Sequence, residues 1–230
     1  MDYYNDLPER ICHIRKHYMS IPEQYEYDDL PFYENKSSLS SANCRKVADA
    51  LSTLLVVYQE DGTEWSISPA GRRLVHREFP RLGWFHKHEY VEIFYVIEGS
   101  FTQVLFGEKI RFEQGEFVIT DCNCEHADYI ESQNAAVLFL QVQADYLEKL
   151  LRSYDGIDEM KQFLFHALWN QQKEQNFLEL KQTQTFNADF LLERLLEEDL
   201  TREAGHEQVK RGLMIRLLHH LCEDYTIQLH

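Results

Sequence analysis

The stretch that decides the fold is FHKHEYVEIFYVIEG, which runs from Phe85 to Gly99. Two histidines and a glutamate stand in a run that is otherwise rich in aromatic and β-branched residues, a composition typical of strands. Successive side chains of a strand point to opposite faces, so alternate residues share one side. The residues on that side are His86, His88, Tyr90, Glu92, Phe94 and Val96. A face that joins imidazoles and a carboxylate to Phe and Val indicates the inside of a barrel with one polar end.

A second stretch, GEFVITDCNCEHADY over 115–129, supplies another histidine. His126 follows the polar turn DCNC, and if this stretch pairs with the first across a barrel, three histidines and Glu92 converge. Imidazole nitrogens and a carboxylate oxygen suit divalent transition metals, and such a set leaves coordination positions open for a substrate. Two other interpretations stay open: these groups form the polar floor of a ligand pocket, or His86 and Glu92 only hydrogen-bond to each other in the core.

Around these stretches, residues 63–145 read as a β domain. Gly99, Gly107 and Gly115 punctuate short apolar runs every eight residues, which is typical of an antiparallel sandwich or barrel. We predict strands near 64–68, 71–78, 84–97, 100–106, 109–113, 116–120, 126–131 and 135–143.

The flanking segments have different patterns, and we divide the chain at 1–60, 61–145 and 146–230. The first 40 residues read as a surface arm with a short helix and a long loop, and residues 42–60 have helical apolar spacing. Beyond residue 144 four segments have helical spacing. The last of these carries an apolar stripe made of Val209, Leu213, Leu217 and Leu221. That stripe packs on the chain's own barrel or forms a dimer seam.

Composition excludes several classes of protein. The chain has 230 residues and a net charge of −16, and so acidic a surface repels nucleic acid and anionic membranes. Five cysteines without scaffold spacing argue against a disulfide framework and for a reducing compartment. The start lacks the regions of a signal peptide, and no apolar run is long enough to span a bilayer. We therefore expect a cytoplasmic protein without a membrane partner.

The spacing of the candidate ligands resembles the cupin family. His86-x-His88-x3-Glu92-x6-Gly99 matches the first cupin motif, and the spacing from Gly115 to His126 matches the second. This chain departs from the family at two positions of the second motif, where Asp121 and Asn123 replace the usual Pro and Gly. The resemblance implies an α+β fold: a cupin-type antiparallel β-barrel, the double-stranded β-helix or jelly roll, here followed by an α-helical dimerisation region.

The run HKHEYVEIFYVIEGSFTQVLFGEKIRFEQGEFVITDCNCEHA, from His86 to Ala127, resembles the sensor barrel of AraC-type transcription regulators, which is followed by dimerising helices. This resemblance covers roughly residues 63–222. Members of that family carry a C-terminal DNA-binding domain, whereas residues 181–230 hold nine acids and six bases and contain no basic recognition helix. The resemblance implies an N-terminal region that senses a small-molecule effector, forms a homodimer and reaches DNA only through a domain not in this chain.

These observations lead to one preferred function and one alternative. The preferred function is effector sensing in the barrel, with no catalysis and no cofactor. We expect the effector to contact His86, His88, Tyr90, Glu92, Phe94 and His126. The alternative is a metal-dependent cupin enzyme, a dioxygenase or isomerase, whose divalent transition metal is held by His86, His88, Glu92 and His126.

Cys122 and Cys124 beside His126 are interpreted as turn residues, with a thiol ligand or redox sensor as the less favoured interpretation.

Overall fold

The computed structural model describes residues 26–29, 44–45, 49–68, 73–78, 81–83, 85–122, 124–130, 134–152, 177–183 and 188–230. The strands are β1 (Glu26–Asp29), β2 (Cys44–Arg45), β3 (Leu51–Tyr58), β4 (Thr63–Ser68), β5 (Arg73–Glu78), β6 (Lys87–His88), β7 (Tyr90–Leu105), β8 (Glu108–Glu113), β9 (Phe117–Thr120), β10 (His126–Tyr129), β11 (Ala135–Gln143), β12 (Phe177–Gln182) and β13 (Tyr225–Leu229). The helices are α1 (Ala144–Arg152), α2 (Asp189–Thr201) and α3 (His206–Glu223).

The main sheet runs in the order β1-β5-β4-β3-β11-β7-β9-β12-β13, and β8 and β10 pair with β7 off this path. Its pairings are antiparallel apart from that of β1 with β5. A separate parallel pair joins β2 to β6. The first half of β7 lies between β11 and β9, and its second half lies between β8 and β10. The strand is thus shared by the two walls of the barrel.

The two halves of β7 meet at Gly99, which lies opposite Ala135 of β11. Gly99 has a φ of +73°, a left-handed conformation that side-chain-bearing residues rarely adopt. A Cβ atom here would overlap the backbone oxygen of Asn134. The glycine of the first motif is therefore required both by backbone conformation and by the close approach of the neighbouring chain.

Two apolar cores lie on opposite faces of the sheet, and β7 contributes to both. Its even-numbered residues Phe94 and Val96 lie in the inner core of the barrel, which also contains Phe101, Phe112 and Phe139. Its odd-numbered residues Val91, Ile93, Tyr95 and Ile97 pack in an outer core, together with leucines of α1, α2 and α3. This double burial explains why both residue sets in the run YVEIFYVI are mostly apolar.

A buried ion pair anchors the last two helices to the sheet. The Lys210 ammonium of α3 lies 2.7 Å from Oδ1 of Asp199 in α2 and donates to the Leu51 carbonyl of β3 at 2.8 Å. Oδ2 of Asp199 accepts from the backbone N–H and the hydroxyl of Thr53, at 2.7 and 2.9 Å. Neither charged side chain is exposed to solvent. One network therefore joins α2, α3 and β3.

Several expectations about the flanking segments are wrong. The segment 42–60 contains no helix where the structure describes it, because Leu51–Tyr58 forms β3, which pairs with β4 and β11 and is buried on both faces. The 146–230 region is not purely helical, since β12 and β13 extend the main sheet from β9. The domain limits at 60 and 146 thus cut through one sheet.

The arm was expected to be irregular around residues 20–41, yet Glu26–Asp29 forms a strand beside β5. The short helix expected in the arm and the helix expected at 158–172 lie outside the described residues. The strands expected at 84–97 and 100–106 form one continuous strand from Tyr90 onwards. The other three segments predicted to be helical beyond residue 144 correspond to α1, α2 and α3. No helix in the described part of the chain is both long and apolar enough to cross a membrane.

Candidate functional site

The site is built on a short backbone ladder between His86 and His126. The N–H of His86 donates to the carbonyl of His126 at 2.9 Å, and the N–H of His126 donates back to His86 at 3.0 Å. Residues that exchange both bonds lie directly opposite each other and present their side chains to the same face. The two imidazole centroids are accordingly 4.6 Å apart, and both side chains are buried.

His88 reaches the same place two residues after His86. Its ring centroid lies 4.9 Å from that of His86 and 5.0 Å from that of His126. The ring of Tyr90 stacks on His88 with centroids 4.3 Å apart and planes 10° apart. The Tyr90 hydroxyl in turn accepts from Nε2 of Gln141 at 3.0 Å. Tyr90 and Gln141 therefore fix the plane of the His88 ring.

Glu92 supplies the negative charge of the site. Its carboxylate oxygens lie 3.7 Å from Nε2 of His88 and 3.5 Å from Nε2 of His126, and all three side chains are almost fully buried. The structure thus brings together His86, His88, Glu92 and His126, the four groups expected to converge. Within the described residues, the three histidines also form the group of side chains able to hold a metal ion, with ligand atoms within 4.8 Å of one another.

The orientation of His126 is set by the turn that precedes it. Nδ1 of His126 lies 3.1 Å from the carbonyl of Cys124 and donates to it, which directs Nε2 towards Glu92. Burial is the largest influence on the pKa of His126 and lowers it. The hydrogen bond and charge of Glu92, the charge of Asp128 and the Cys124 carbonyl together outweigh burial, so the pKa is raised above its ordinary value.

This donor set fits a divalent transition metal. A hydrogen bond from Nδ1 to a carbonyl is the usual way a protein holds a ligating imidazole, and His126 has it. Nitrogens on one tetrahedral ion lie roughly 3.3 Å apart, given metal–nitrogen distances of about 2.0–2.1 Å. The ligand atoms of the three histidines lie within 4.8 Å of one another, so the rings would have to move closer together to coordinate one ion. His86, His88 and His126 would hold such an ion, with Glu92 as a further oxygen ligand.

Phe94 was expected to contact a ligand, but it lies within the aromatic packing of the barrel. Its ring is fully buried, with centroid distances of 5.3 Å to Phe101, 5.3 Å to Phe112 and 5.8 Å to Phe139. Such contacts fill the barrel with side chains beyond Glu92. The polar end of the barrel, from His86 to Glu92, is therefore separate from this aromatic packing.

Three inward-facing polar residues were missed by the sequence analysis. Gln103 and Asp128 lie opposite each other on β7 and β10, and Nε2 of Gln103 donates to Oδ1 of Asp128 at 3.1 Å. The hydroxyl of Tyr58 on β3 donates to Oδ2 of Asp128 at 3.4 Å. The alternation of Phe101, Gln103 and Leu105 was the available signal, because it places Gln103 on the inner face.

The cysteines of the turn face the apolar cores. Cys124 is buried in the inner core, and burial, followed by the charges of Asp121 and Glu92, raises the pKa of its thiol to about 12. A thiol with that pKa is neutral near pH 7 and is a poor nucleophile. Cys122 is half-buried and packs against the outer core. These positions agree with the interpretation of both cysteines as turn residues.

Comparisons with known proteins identify the barrel. Residues 79–142 match the model of the family described as "Cupin domain". No curated protein matches the chain in sequence. Among solved structures, ToxT from Vibrio cholerae matches with 8% identity over 75% of this chain and 54% of that chain, at a TM-score of 0.42. The structure of ToxT bound to an unsaturated fatty acid matches with 12% identity over 76% of this chain and 53% of that chain, at a TM-score of 0.41.

A cupin-2 domain protein from Shewanella frigidimarina matches with 16% identity over 49% of this chain and 85% of that chain, at a TM-score of 0.30. The chain spans just over half the length of the ToxT chains. The expected fold class is confirmed by the family match and by the antiparallel barrel with its three described helices. The chain is an α+β protein built on a cupin-type barrel, whose segment 79–142 matches the cupin domain family.

Proposed function

We propose that the chain is the effector-sensing and dimerisation region of an AraC-type transcription regulator. In this proposal a small molecule binds at the polar end of the cupin barrel, and the helices that follow the barrel pass the signal on. A separate domain reads DNA, since the chain itself is strongly acidic. The motif spacing and the order of barrel before helices support the assignment.

One observation carries the proposal: the strands that hold the polar site also hold the helices. On β7, Glu92 faces His88 and His126, while its neighbours Val91 and Ile93 pack in the outer core with α1, α2 and α3. On β3, Tyr58 bonds to Asp128 inside the barrel, and Thr53 bonds to Asp199 of α2 outside it. A change in strand position at the site therefore reaches the helices directly.

A ligand acts on such a system only through different affinities for two arrangements of the protein. Ligand contacts to Glu92 or to the histidines would favour one position of β7, and the outer core would favour the matching position of α2 and α3. The coupling is reciprocal, so dimerisation through the helices would change ligand affinity by the same factor.

The part of the α3 apolar stripe that is available for a dimer contact is shorter than the whole stripe of Val209, Leu213, Leu217 and Leu221. Leu217 and Leu221 are fully buried in the chain's own outer core, whereas Val209 is exposed and Leu213 is half-buried. Gly212 lies beside these two, and a Cβ built on it meets no neighbouring atom. We place the homodimer contact on the Val209–Leu213 end of α3, because that part of the stripe remains available to a second copy.

The first test combines a ligand screen with measurement of the dimer. Ligand at about 100 times its Kd stabilises the folded state by about 2.7 kcal/mol. For a chain of this size we expect the Tm to rise by roughly 5–10 °C. The dimer dissociation constant, measured by analytical ultracentrifugation, should change in the same titration. Because ToxT has been seen with an unsaturated fatty acid, the screen includes ionised fatty acids beside polyols and amines.

The matched variants for this test lie on one strand. Glu92→Gln removes the charge at the site, while Glu98→Gln removes an exposed charge six positions along β7. Effector binding should weaken in Glu92→Gln and stay unchanged in Glu98→Gln. A screen in which no compound changes either the Tm or the dimer constant would count against effector sensing.

The second candidate function is that of a metal-dependent cupin enzyme, a dioxygenase or isomerase, and it is favoured by the three buried imidazoles that converge beside a carboxylate. The metal would supply a Lewis acid that polarises a substrate oxygen. The residues of this chain would orient that substrate, with Glu92 beside two of the ligating rings.

Elemental analysis separates the two functions. If the chain is a metal-dependent enzyme, addition of Zn²⁺, Ni²⁺ or Fe²⁺ raises the Tm of the wild-type chain, because a metal bound only by the folded state stabilises it. His86→Ala should abolish that rise, and Glu98→Gln should retain it. If the purified protein contains one equivalent of metal and turns over a substrate, the enzyme function is correct and the sensor function is not. Metal binding without turnover is compatible with sensing.

A further inference from the structure

The second polar cluster of the barrel, made of Tyr58, Gln103 and Asp128, has a role that the histidine site does not explain. We infer that Gln103 and Asp128 form a subsite that accepts a hydrogen bond from the effector, so that the effector carries a hydroxyl or ammonium group there. This inference rests on the proposed effector-sensing function and specifies the chemistry of the ligand.

The first step is the orientation of the Gln103 amide. Its Nε2 donates to the Asp128 carboxylate at 3.1 Å. The opposite amide orientation would set the amide oxygen against that carboxylate, acceptor against acceptor, so the orientation is determined by Asp128. The Gln103 oxygen therefore points away from Asp128.

The second step is the state of that oxygen. Gln103 is fully buried, and within the described chain its Oε1 has no hydrogen-bond partner. A buried acceptor without a donor costs roughly 1–3 kcal/mol in the folded protein, so native structures rarely keep one without a reason. A donor group on a bound molecule would remove this cost. The oxygen thus favours ligands that can donate.

The third step concerns Asp128. Its carboxylate accepts from Gln103 and from the Tyr58 hydroxyl, and in the described part of the chain it pairs with no lysine or arginine. An ionised carboxylate has about four acceptor positions. Asp128 therefore has acceptor capacity left beside the oxygen of Gln103. Both groups of the subsite accept hydrogen bonds, and the carboxylate makes the subsite negative.

The subsite is within reach of the histidine site. Asp128 follows His126 by two residues on the same face of β10, a distance of about 7 Å along a strand. Oε1 of Glu92 lies 3.5 Å from Nε2 of His126, so a second carboxylate is present at this end of the barrel. An ionised carboxylate on a ligand would be repelled here, whereas a hydroxyl or an ammonium would be attracted. A molecule of five or six bonded atoms would span both places.

Isothermal titration of the full chain with three groups of probes tests the inference. The first group holds the neutral polyols xylitol and sorbitol, the second holds the amines putrescine and ethanolamine, and the third holds octanoate, which is ionised at pH 7. We expect probes of the first or second group to bind and octanoate not to use the subsite. The two donor groups distinguish a hydroxyl ligand from an ammonium ligand.

Two variants and one control complete the experiment. Gln103→Leu should weaken binding of the donor probe by roughly 3- to 10-fold, since one neutral hydrogen bond is lost. Asp128→Asn should weaken an ammonium probe by roughly 10- to 100-fold and a hydroxyl probe far less. Gln182→Leu, at an exposed position of β12, should bind as the wild type does. Asparagine has nearly the same shape as aspartate, so the Asp128→Asn variant still tests the subsite if the Gln103→Leu variant does not fold.

The outcomes separate the subsite from the function on which it rests. If octanoate alone binds, or if Gln103→Leu and Asp128→Asn bind the donor probe as tightly as the wild type, the subsite is refuted while effector sensing stands. If the wild type binds no probe of any group, effector sensing fails and the subsite fails with it. Weakened binding of a donor probe in Gln103→Leu, with the loss in Asp128→Asn much larger for an ammonium probe than for a hydroxyl probe and the control unchanged, supports the subsite.

Discussion

Lys210→Met is expected to lower the free energy of unfolding by about 3–5 kcal/mol, because it leaves the buried carboxylate of Asp199 without its cation. The two charges are 2.7 Å apart and neither is exposed. After the substitution Asp199 keeps only the two donors of Thr53, and the Leu51 carbonyl loses its donor as well. Urea unfolding followed by circular dichroism measures the loss.

The matched control is Lys149→Met, which removes an exposed lysine from α1 and should change stability by less than about 0.5 kcal/mol. A second variant, Asp199→Leu combined with Lys210→Met, removes both charges and should recover part of the loss, since no buried charge is left without a partner. The rest of the loss remains, because the buried N–H and hydroxyl of Thr53 and the Leu51 carbonyl still lack partners. If Lys210→Met costs no more than the control does, the ion pair contributes nothing to the docking of the helices.

Gly99→Ala is the second change with a large expected effect. The left-handed φ of +73° costs an alanine about 1–2 kcal/mol, and the overlap of its Cβ with the backbone oxygen of Asn134 adds about 1–3 kcal/mol. The expected loss of stability is therefore about 2–5 kcal/mol, again measured by urea unfolding. Part of the chain must move, because the atom that the Cβ meets belongs to the backbone.

Gly107→Ala separates the two contributions. Gly107 has a φ of +80°, yet a Cβ built on it meets nothing within 4 Å. This variant should show only the conformational cost of about 1–2 kcal/mol. Equal losses at Gly99 and Gly107 would mean that the close approach of Asn134 has no energetic weight.

The strands of the barrel could be predicted because their pattern is local. Ala135–Gln143 was predicted to the residue, and the strands at 63–68, 108–113 and 117–120 were displaced by one residue at most. β3 was missed because both of its faces are buried, which removes the alternation that distinguishes strands from helices. The leucines at 51, 54 and 55 then imitated a helical stripe, although Val56 and Val57 favour a strand.

β12 and β13 could not be recognised for a different reason. Each is a short segment next to a helix. β12 pairs with β9 across roughly 60 positions of the chain, and β13 pairs with β12 across roughly 45. Nothing in FLELKQ or YTIQL indicates which edge of the sheet it joins. Long-range pairing is determined by the packing of the whole domain.

The candidate site was predicted in part. The convergence of the three histidines and Glu92 followed from strand parity and motif spacing. The packing of Phe94 against other rings did not follow, because parity gives the face but not the depth in the barrel. Gln103 and Lys210 were overlooked although each interrupts an apolar pattern: Gln103 lies between inward-facing Phe101 and Leu105, and Lys210 lies four residues before the buried Met214.

The double burial of β7 has a consequence for any attempt to isolate the barrel. A fragment that ends at residue 143 would lose α1, α2 and α3 and would expose Val91, Ile93 and Tyr95 as a continuous apolar surface. It would also lose β12, leaving β9 as an open edge able to pair with other molecules. Such a fragment would aggregate on expression, so recombinant truncations should keep the chain through β13.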